Sequence, residues 1–210
     1  IDKYIGDAIM ALFPTSADDA LDAAVGMLYR LAEYNEERRA EGHPPIAIGI
    51  GLNTGLMMLG AIGGGSRMAS TVIGDAVNLA SRIETLTKTY GVDLLVSEYT
   101  YYGLEDPEKY RIRFVDRVRV KGKEQPESVY EVFDADPPAR QAAKQRTLRT
   151  FERAIARYYL KEVAGARELF LQCLEECPED RPARFYLDRC TRFMETGRFE
   201  GGGVVDLSIA

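Results

Sequence analysis

The sequence predicts an α/β (α+β) domain over residues 1–136, followed by a small all-helical, repeat-like appendage over 139–197 and a tail over 198–210. Two observations carry the first part: short apolar runs punctuated by Gly, Asn and Asp turn signals, and amphipathic stretches of three- and four-residue spacing between them. A third marks the division, because after Asp136-Pro137-Pro138 only helical periodicity continues. With 210 residues, 46% of them hydrophobic, the chain can fill the core of one large domain with an appendage.

The stretch from Thr71 to Arg82 organises the domain. Thr71-Val72-Ile73 is β-branched and suits a strand end, Gly74 suits a turn, and Asp75 suits a helix cap. On that helix Leu79, Ile83, Leu86 and Tyr90 make one apolar face, while Asn78 and Arg82, one turn apart, share another. An amide and a guanidinium projecting together beside a strand end suit a polyanionic ligand such as a polyphosphate. The same pair also occurs on the solvated face of ordinary helices.

From the start, two apolar runs flank Gly6-Asp7, a hairpin signal. Asp7 at its tip is good turn chemistry and also a carboxylate placed to bind a divalent cation. Lys3, four residues earlier, points to the same side and needs a polar partner or solvent. Ser16 caps the next helix, with Asp18 and Asp19 in its first turn and Leu21, Val25, Leu28 and Leu31 as its stripe. Pro44-Pro45 ends this unit. Ile46 to Leu52 reads as a buried strand, Asn53-Thr54-Gly55 as a turn, and Leu56 to Leu59 as another strand. Gly60 to Ser66 is glycine-rich but lacks the Gly-Lys-Ser/Thr ending of a phosphate loop, so it reads as a hairpin tip.

Gly91 is placed to end the central helix, Val92 to Val96 is a strand, and Ser97 caps a short helical turn. Arg111 to Val120 alternates charged and apolar residues, as a half-exposed strand does. Lys121-Gly122-Lys123 turns the chain into a final strand, Glu127 to Phe133; its lysines either reach a phosphate or are ordinary exposed turn residues. Beyond the boundary, Ala154, Ala166, Phe170, Cys173 and Pro178 follow tetratricopeptide-type spacing, and Pro182 opens a third helix that Gly197 ends.

Composition excludes several classes. A net charge of −6 argues against non-specific nucleic-acid binding. No run is long enough to cross a membrane and no secretory signal is present, so a cytoplasmic domain is expected. The chain opens at Ile1 inside a strand, so it is expected to be a fragment, with a sensor or membrane tether left open upstream. Cys173, Cys177 and Cys190 read as reduced, buried small hydrophobes rather than a metal site. The only histidine, His43, precedes Pro44-Pro45, which weakens any hydrolase mechanism built on a His-paired nucleophile.

Together, Lys3-Tyr4-Ile5-Gly6-Asp7, Asn53-Thr54-Gly55, the Thr71–Arg82 stretch and Val120-Lys121-Gly122-Lys123 resemble the class III nucleotide cyclase catalytic domain, in order and spacing, through about residue 134. The helical segment is similar, more loosely, to the repeat-like C-terminal segment of bacterial adenylate cyclases. The resemblance implies a ferredoxin-like domain with a mixed, mainly antiparallel sheet that dimerises head to tail around shared active sites. It implies conversion of ATP to 3′,5′-cyclic AMP and pyrophosphate with two magnesium or manganese ions held by two aspartates. Asp7 matches the second of these. Lys3 and Thr71 match the pair that recognises adenine, and Lys3 stands where guanylate cyclases carry Glu. Asn78 matches the ribose-orienting residue, Arg82 the one stabilising transition-state charge, and Lys121 the lysine on the terminal phosphates. Lys3 and Asp7 lie too close in sequence to serve opposite ends of one ATP, which implies that they serve two sites of a homodimer.

Three departures stand out. The family's first metal aspartate lies N-terminal to the Lys3–Asp7 hairpin, so the 210 residues alone are expected to be inactive. Met68-Ala69-Ser70 precedes Thr71 where Asp-Tyr is frequent, and Leu56 stands where an acidic residue is often found. The alternative reading is a cyclase-like module that binds nucleotide or a partner for regulation without catalysis.

Overall fold

A computed structural model of the chain describes residues 1–62, 69–119, 126–199 and 205–206. In chain order its elements are β1 (Lys3–Ile5), β2 (Ala8–Met10), α1 (Ala17–Ala40), β3 (Ile50–Leu52), β4 (Met58–Ile62), β5 (Ala69–Ile73) and α2 (Asp75–Tyr90). There follow β6 (Leu94–Ser97), α3 (Glu98–Tyr102), β7 (Ile112–Arg119), β8 (Glu127–Val132), α4 (Pro138–Tyr159), α5 (Val163–Glu176), α6 (Arg181–Thr196) and β9 (Val205–Asp206). The main sheet runs β3-β6-β8-β7-β9, antiparallel at β6-β8 and β8-β7 and parallel at its two ends. The hairpins β1-β2 and β4-β5 form separate two-stranded ladders.

Side chains alternate across this sheet with the two-residue period of a strand. Leu94, Val96 and Val132 face α1 and meet Leu21, Ala24 and Leu28. Leu95, Val115, Val118 and Val129 face the other way and meet Leu79, Ile83, Leu86 and Tyr90 of α2. The predicted apolar face of α2 is therefore its core face. Close approach depends on Gly51, where a Cβ would lie 2.3 Å from the Glu84 backbone nitrogen and 2.4 Å from the Ala80 carbonyl oxygen.

Local punctuation is as expected at several ends. Ser16 Oγ accepts from the Asp19 N–H at 3.0 Å and Ser97 Oγ from that of Thr100 at 3.2 Å. Gly91 and Gly197 end α2 and α6 in the left-handed region, at φ +66° and +67°. Four expectations are corrected. The strand expected from Ile46 pairs only over Ile50–Leu52, because the Asn35 side chain takes both backbone groups of Ile46, at 2.7 and 2.8 Å. The strand expected at Leu56–Leu59 lies at Met58–Ile62. Gly74, not Asp75, is the N-cap of α2; Asp75 is its first helical residue, still favourable there as a negative charge. The strand at Glu127 is not the last, since β9 pairs with β7 at Val118↔Val205 and Arg119↔Asp206.

The largest departure is β7. Its alternation reads as half-exposed, yet Arg113 is 1% and Asp116 0% exposed. The helical segment explains this. Ala154, Ala166, Phe170 and Cys173, at the spacing read from the sequence, build a core of their own together with Phe151 and Tyr186, and α4 and α6 lie over the sheet face beside α2. Arg113 Nε donates to Glu131 Oε2 across the strand pair at 2.6 Å, while its two terminal nitrogens bind both oxygens of Asp180 at 2.7 Å. Lys144 of α4 donates to Glu131 Oε1 at 2.5 Å, and the Arg113 guanidinium lies 4.2 Å over the Phe151 ring. Asp180 is also the N-cap of α6, accepting from the Ala183 N–H.

Removing one partner of a buried ion pair leaves an uncompensated charge, so Asp180→Ala should lower stability by about 3–5 kcal/mol in denaturant unfolding. Burial alone would raise the Glu131 carboxyl, but Arg113 and Lys144 outweigh it and hold it at about 2, below the ordinary 4.5. Its contribution is full above pH 4.5 and is lost as pH falls towards 2. The gap in melting temperature between wild type and Glu131→Gln should therefore narrow over that interval.

Candidate active site

The β1-β2 hairpin closes with Gly6 in the left-handed region at φ +62° between the paired Ile5 and Ala8. This sets Asp7 at the tip, exposed, with no hydrogen-bond or ion-pair partner among the described residues. Lys3, opposite Met10, lies with its Nζ 3.3 Å from Asp2 Oδ2, the polar partner its apolar segment required. Tyr4, Ile5 and Ile9 of the same hairpin are 69, 58 and 52% exposed.

On α2, Asn78 is exposed and Arg82 half-buried, off the core face set by Leu79, Ile83 and Leu86. Neither side chain has a hydrogen-bond or ion-pair partner among the described residues. The start of α2 is held by the Asn53-Thr54-Gly55 turn. Asn53 Nδ2 donates to the Ala76 carbonyl at 3.0 Å, and a Cβ on Gly55 would lie 2.9 Å from that of Ala76. Thr54 Oγ1 lies 3.1 Å from Thr100 Oγ1 of α3, which in turn lies 3.3 Å from Ser97 Oγ at the end of β6. The sequence marks these residues as a turn; their grip on α2 comes from contacts between segments 23 residues apart and has no local signature.

Thr71 lies in β5 with its backbone opposite Gly60, and its side chain, like all of Lys121, lies outside the described residues. The structure thus brings Lys3 and Asp7 together on one hairpin and Asn78 and Arg82 together on one helix. No hydrogen bond or ion pair joins the two pairs among the described residues. Asp7 suits a hard divalent cation as an exposed, unpaired oxygen donor, but one carboxylate is only part of a cation's shell. No group of three His, Cys, Asp or Glu able to hold a metal occurs among the described residues. The three cysteines are buried and unpaired, and burial pushes the Cys190 thiol up to about 11, so they serve as hydrophobes. No helix among the described residues is long and apolar enough to cross a membrane.

The model of the adenylate and guanylate cyclase catalytic domain matches residues 3–132. The chain is 50% identical over 138 residues to an adenylate cyclase of Anabaena cylindrica, covering 63% of this chain and 28% of that protein. It is 35% identical over 202 residues to the terminal-differentiation-specific adenylate cyclase of Dictyostelium discoideum, covering 93% of this chain and 9% of that one. The second match runs on through the helices beyond residue 132, and the chain spans less than a third of either relative. Among solved structures, the adenylyl cyclase CyaB from P. aeruginosa is similar with a TM-score of 0.51 at 29% identity, over 63% of this chain and 70% of that one. A bacterial light-regulated adenylyl cyclase is similar at 0.57 and 25% identity, over 70% and 43%. With a matching family model over more than half its length and the family's mixed α/β architecture, the chain belongs to the adenylate and guanylate cyclase catalytic domain family.

Proposed function

We propose that this chain is the larger part of an adenylate cyclase catalytic module that converts ATP to 3′,5′-cyclic AMP and pyrophosphate at sites shared by two copies. The observation that carries the reading is the separation of roles on the surface: Asn78 and Arg82 stand together on α2, and Asp7 at the tip of the hairpin, none of them with a hydrogen-bond or ion-pair partner among the described residues. The relatives' names supply the nucleotide, and Lys3 favours adenine over guanine at the base.

In the reaction the ribose 3′-hydroxyl attacks the α-phosphorus, the bond to the bridging oxygen breaks, and pyrophosphate leaves. Arg82 donates to the charge that builds on the phosphoryl oxygens, a contribution commonly worth a few kcal/mol. Asn78 orients the ribose, Lys3 and Thr71 read the purine edge, and Lys121 meets the terminal phosphates. Asp7 is one ligand of a magnesium or manganese pair. When bound, those ions acidify the 3′-hydroxyl and neutralise the leaving phosphates. A second copy fits the exposed apolar surface of the hairpin and of Leu56 and Met58, the last two 98 and 74% exposed.

Cyclic AMP formation from ATP with manganese by the full-length protein tests the reading. Arg82→Ala should cost about 100-fold or more in kcat and Asp7→Ala should abolish turnover. Both should leave the melting temperature within about 1 °C of wild type, since neither side chain has a hydrogen-bond or ion-pair partner among the described residues. Lys3→Glu should shift preference from ATP towards GTP. A folded, dimeric protein that binds ATP without making cyclic AMP would favour the non-catalytic module instead.

A further inference from the structure

The register of β7 against β8 shifts at one place. Phe114 pairs with Tyr130 and Asp116 with Val129, so Val115 is the extra residue of a bulge. A bulge leaves its extra residue outside the ladder, and here α6 supplies the missing partner: Tyr186 donates to the Val115 carbonyl at 2.9 Å. The next residue, Asp116, is fully buried and gathers donors from two helices. Tyr90, the last residue of α2, donates to its Oδ2 at 2.6 Å, and Tyr159, the last residue of α4, donates to its Oδ1. Phe185 of α6 meets the Tyr90 ring edge-on at 5.0 Å, and a Cβ on Gly91 would lie 2.9 Å from Arg181.

We infer that Tyr159 and Asp116 are positioning residues for the reaction: through Tyr90 they fix the axial and rotational setting of α2, and so where Asn78 and Arg82 stand. The inference rests on the proposed roles of Asn78 and Arg82. At 1.5 Å per residue, Tyr90 lies about 12 Å along the helix from Arg82 and about 18 Å from Asn78. Over that distance a packed helix moves as a rod, and Tyr90 is its C-terminal anchor while the Asn53 turn is its N-terminal one. Tyr159 belongs to a segment beyond residue 132, outside the matched catalytic family, so the helical segment contributes directly to the geometry of the site. Its rings and hydroxyls do more than cover the sheet.

The test is a double-mutant cycle on the full-length protein with Tyr90→Phe, Tyr159→Phe and both together, which keep the rings and remove the hydroxyls. Each single change should lower kcat about tenfold while KM for ATP moves less than about twofold, since small misplacements cost the chemical step most. The double variant should be no worse than the poorer single one, because both act through the same carboxylate. Amide hydrogen exchange across residues 75–90 should quicken in Tyr159→Phe. Additive losses, or a lowered melting temperature with kcat and exchange unchanged, would reduce Tyr159 to packing and overturn the inference. If the wild-type protein makes no cyclic AMP, the functional reading fails separately, and the exchange measurement still decides whether α4 holds α2.

Discussion

A buried guanidinium has to be satisfied on every side, and Arg113 meets that demand only when the helical segment is in place. Glu131 is its neighbour across the ladder, but the bidentate partner is Asp180, 67 residues on. Lys144 then balances the second oxygen of Glu131. Such a network adds little net stability over an apolar interface of the same size, because desolvation of the ions offsets their attraction. Its consequence is orientation. The forked geometry of Arg113, with Phe151 stacked beneath it, allows few arrangements of α4 and α6 against β7.

From that docking the layers follow. The sheet has α1 on one face and α2 with α4 and α6 on the other, so α2 is enclosed by strands beneath and by α6 alongside. It is gripped near its start by the Asn53 turn, in its middle by the contact at Gly51 and at its end by Tyr90 on Asp116. Burial raises the Asp116 carboxyl while the two tyrosine hydroxyls and the Arg117 N–H oppose that rise. What remains outward on α2 is the flank bearing Asn78 and Arg82. The hairpin is different: it is a separate two-stranded ladder whose Tyr4, Ile5 and Ile9 are exposed.

Much of this was legible in the residues. The Gly6-Asp7 hairpin, the Ser16 and Ser97 caps, the glycine stops at 91 and 197 and the core face of α2 all depend on neighbours within a few positions. Their physics is that of local hydrogen bonds and of the 3.6-residue period. The placement of Asn78 with Arg82, and of Lys3 with Asp7, follows from the same short-range rules. The errors have a common cause. Ile46 falls outside the strand because Asn35 occupies its backbone, and Gly74 rather than Asp75 caps α2 where the chain crosses close to Leu56.

The sequence by itself therefore determined the elements, their punctuation and the polar residues set apart from the core, because each is decided by chain neighbours. Only the tertiary structure decided that β7 is buried, that Arg113, Glu131, Asp180 and Lys144 are one network, and that Tyr90, Tyr159 and Asp116 meet. A charged residue in an alternating strand looks the same whether water or a helix lies over it. What covers it is set by packing between segments that the local pattern does not encode.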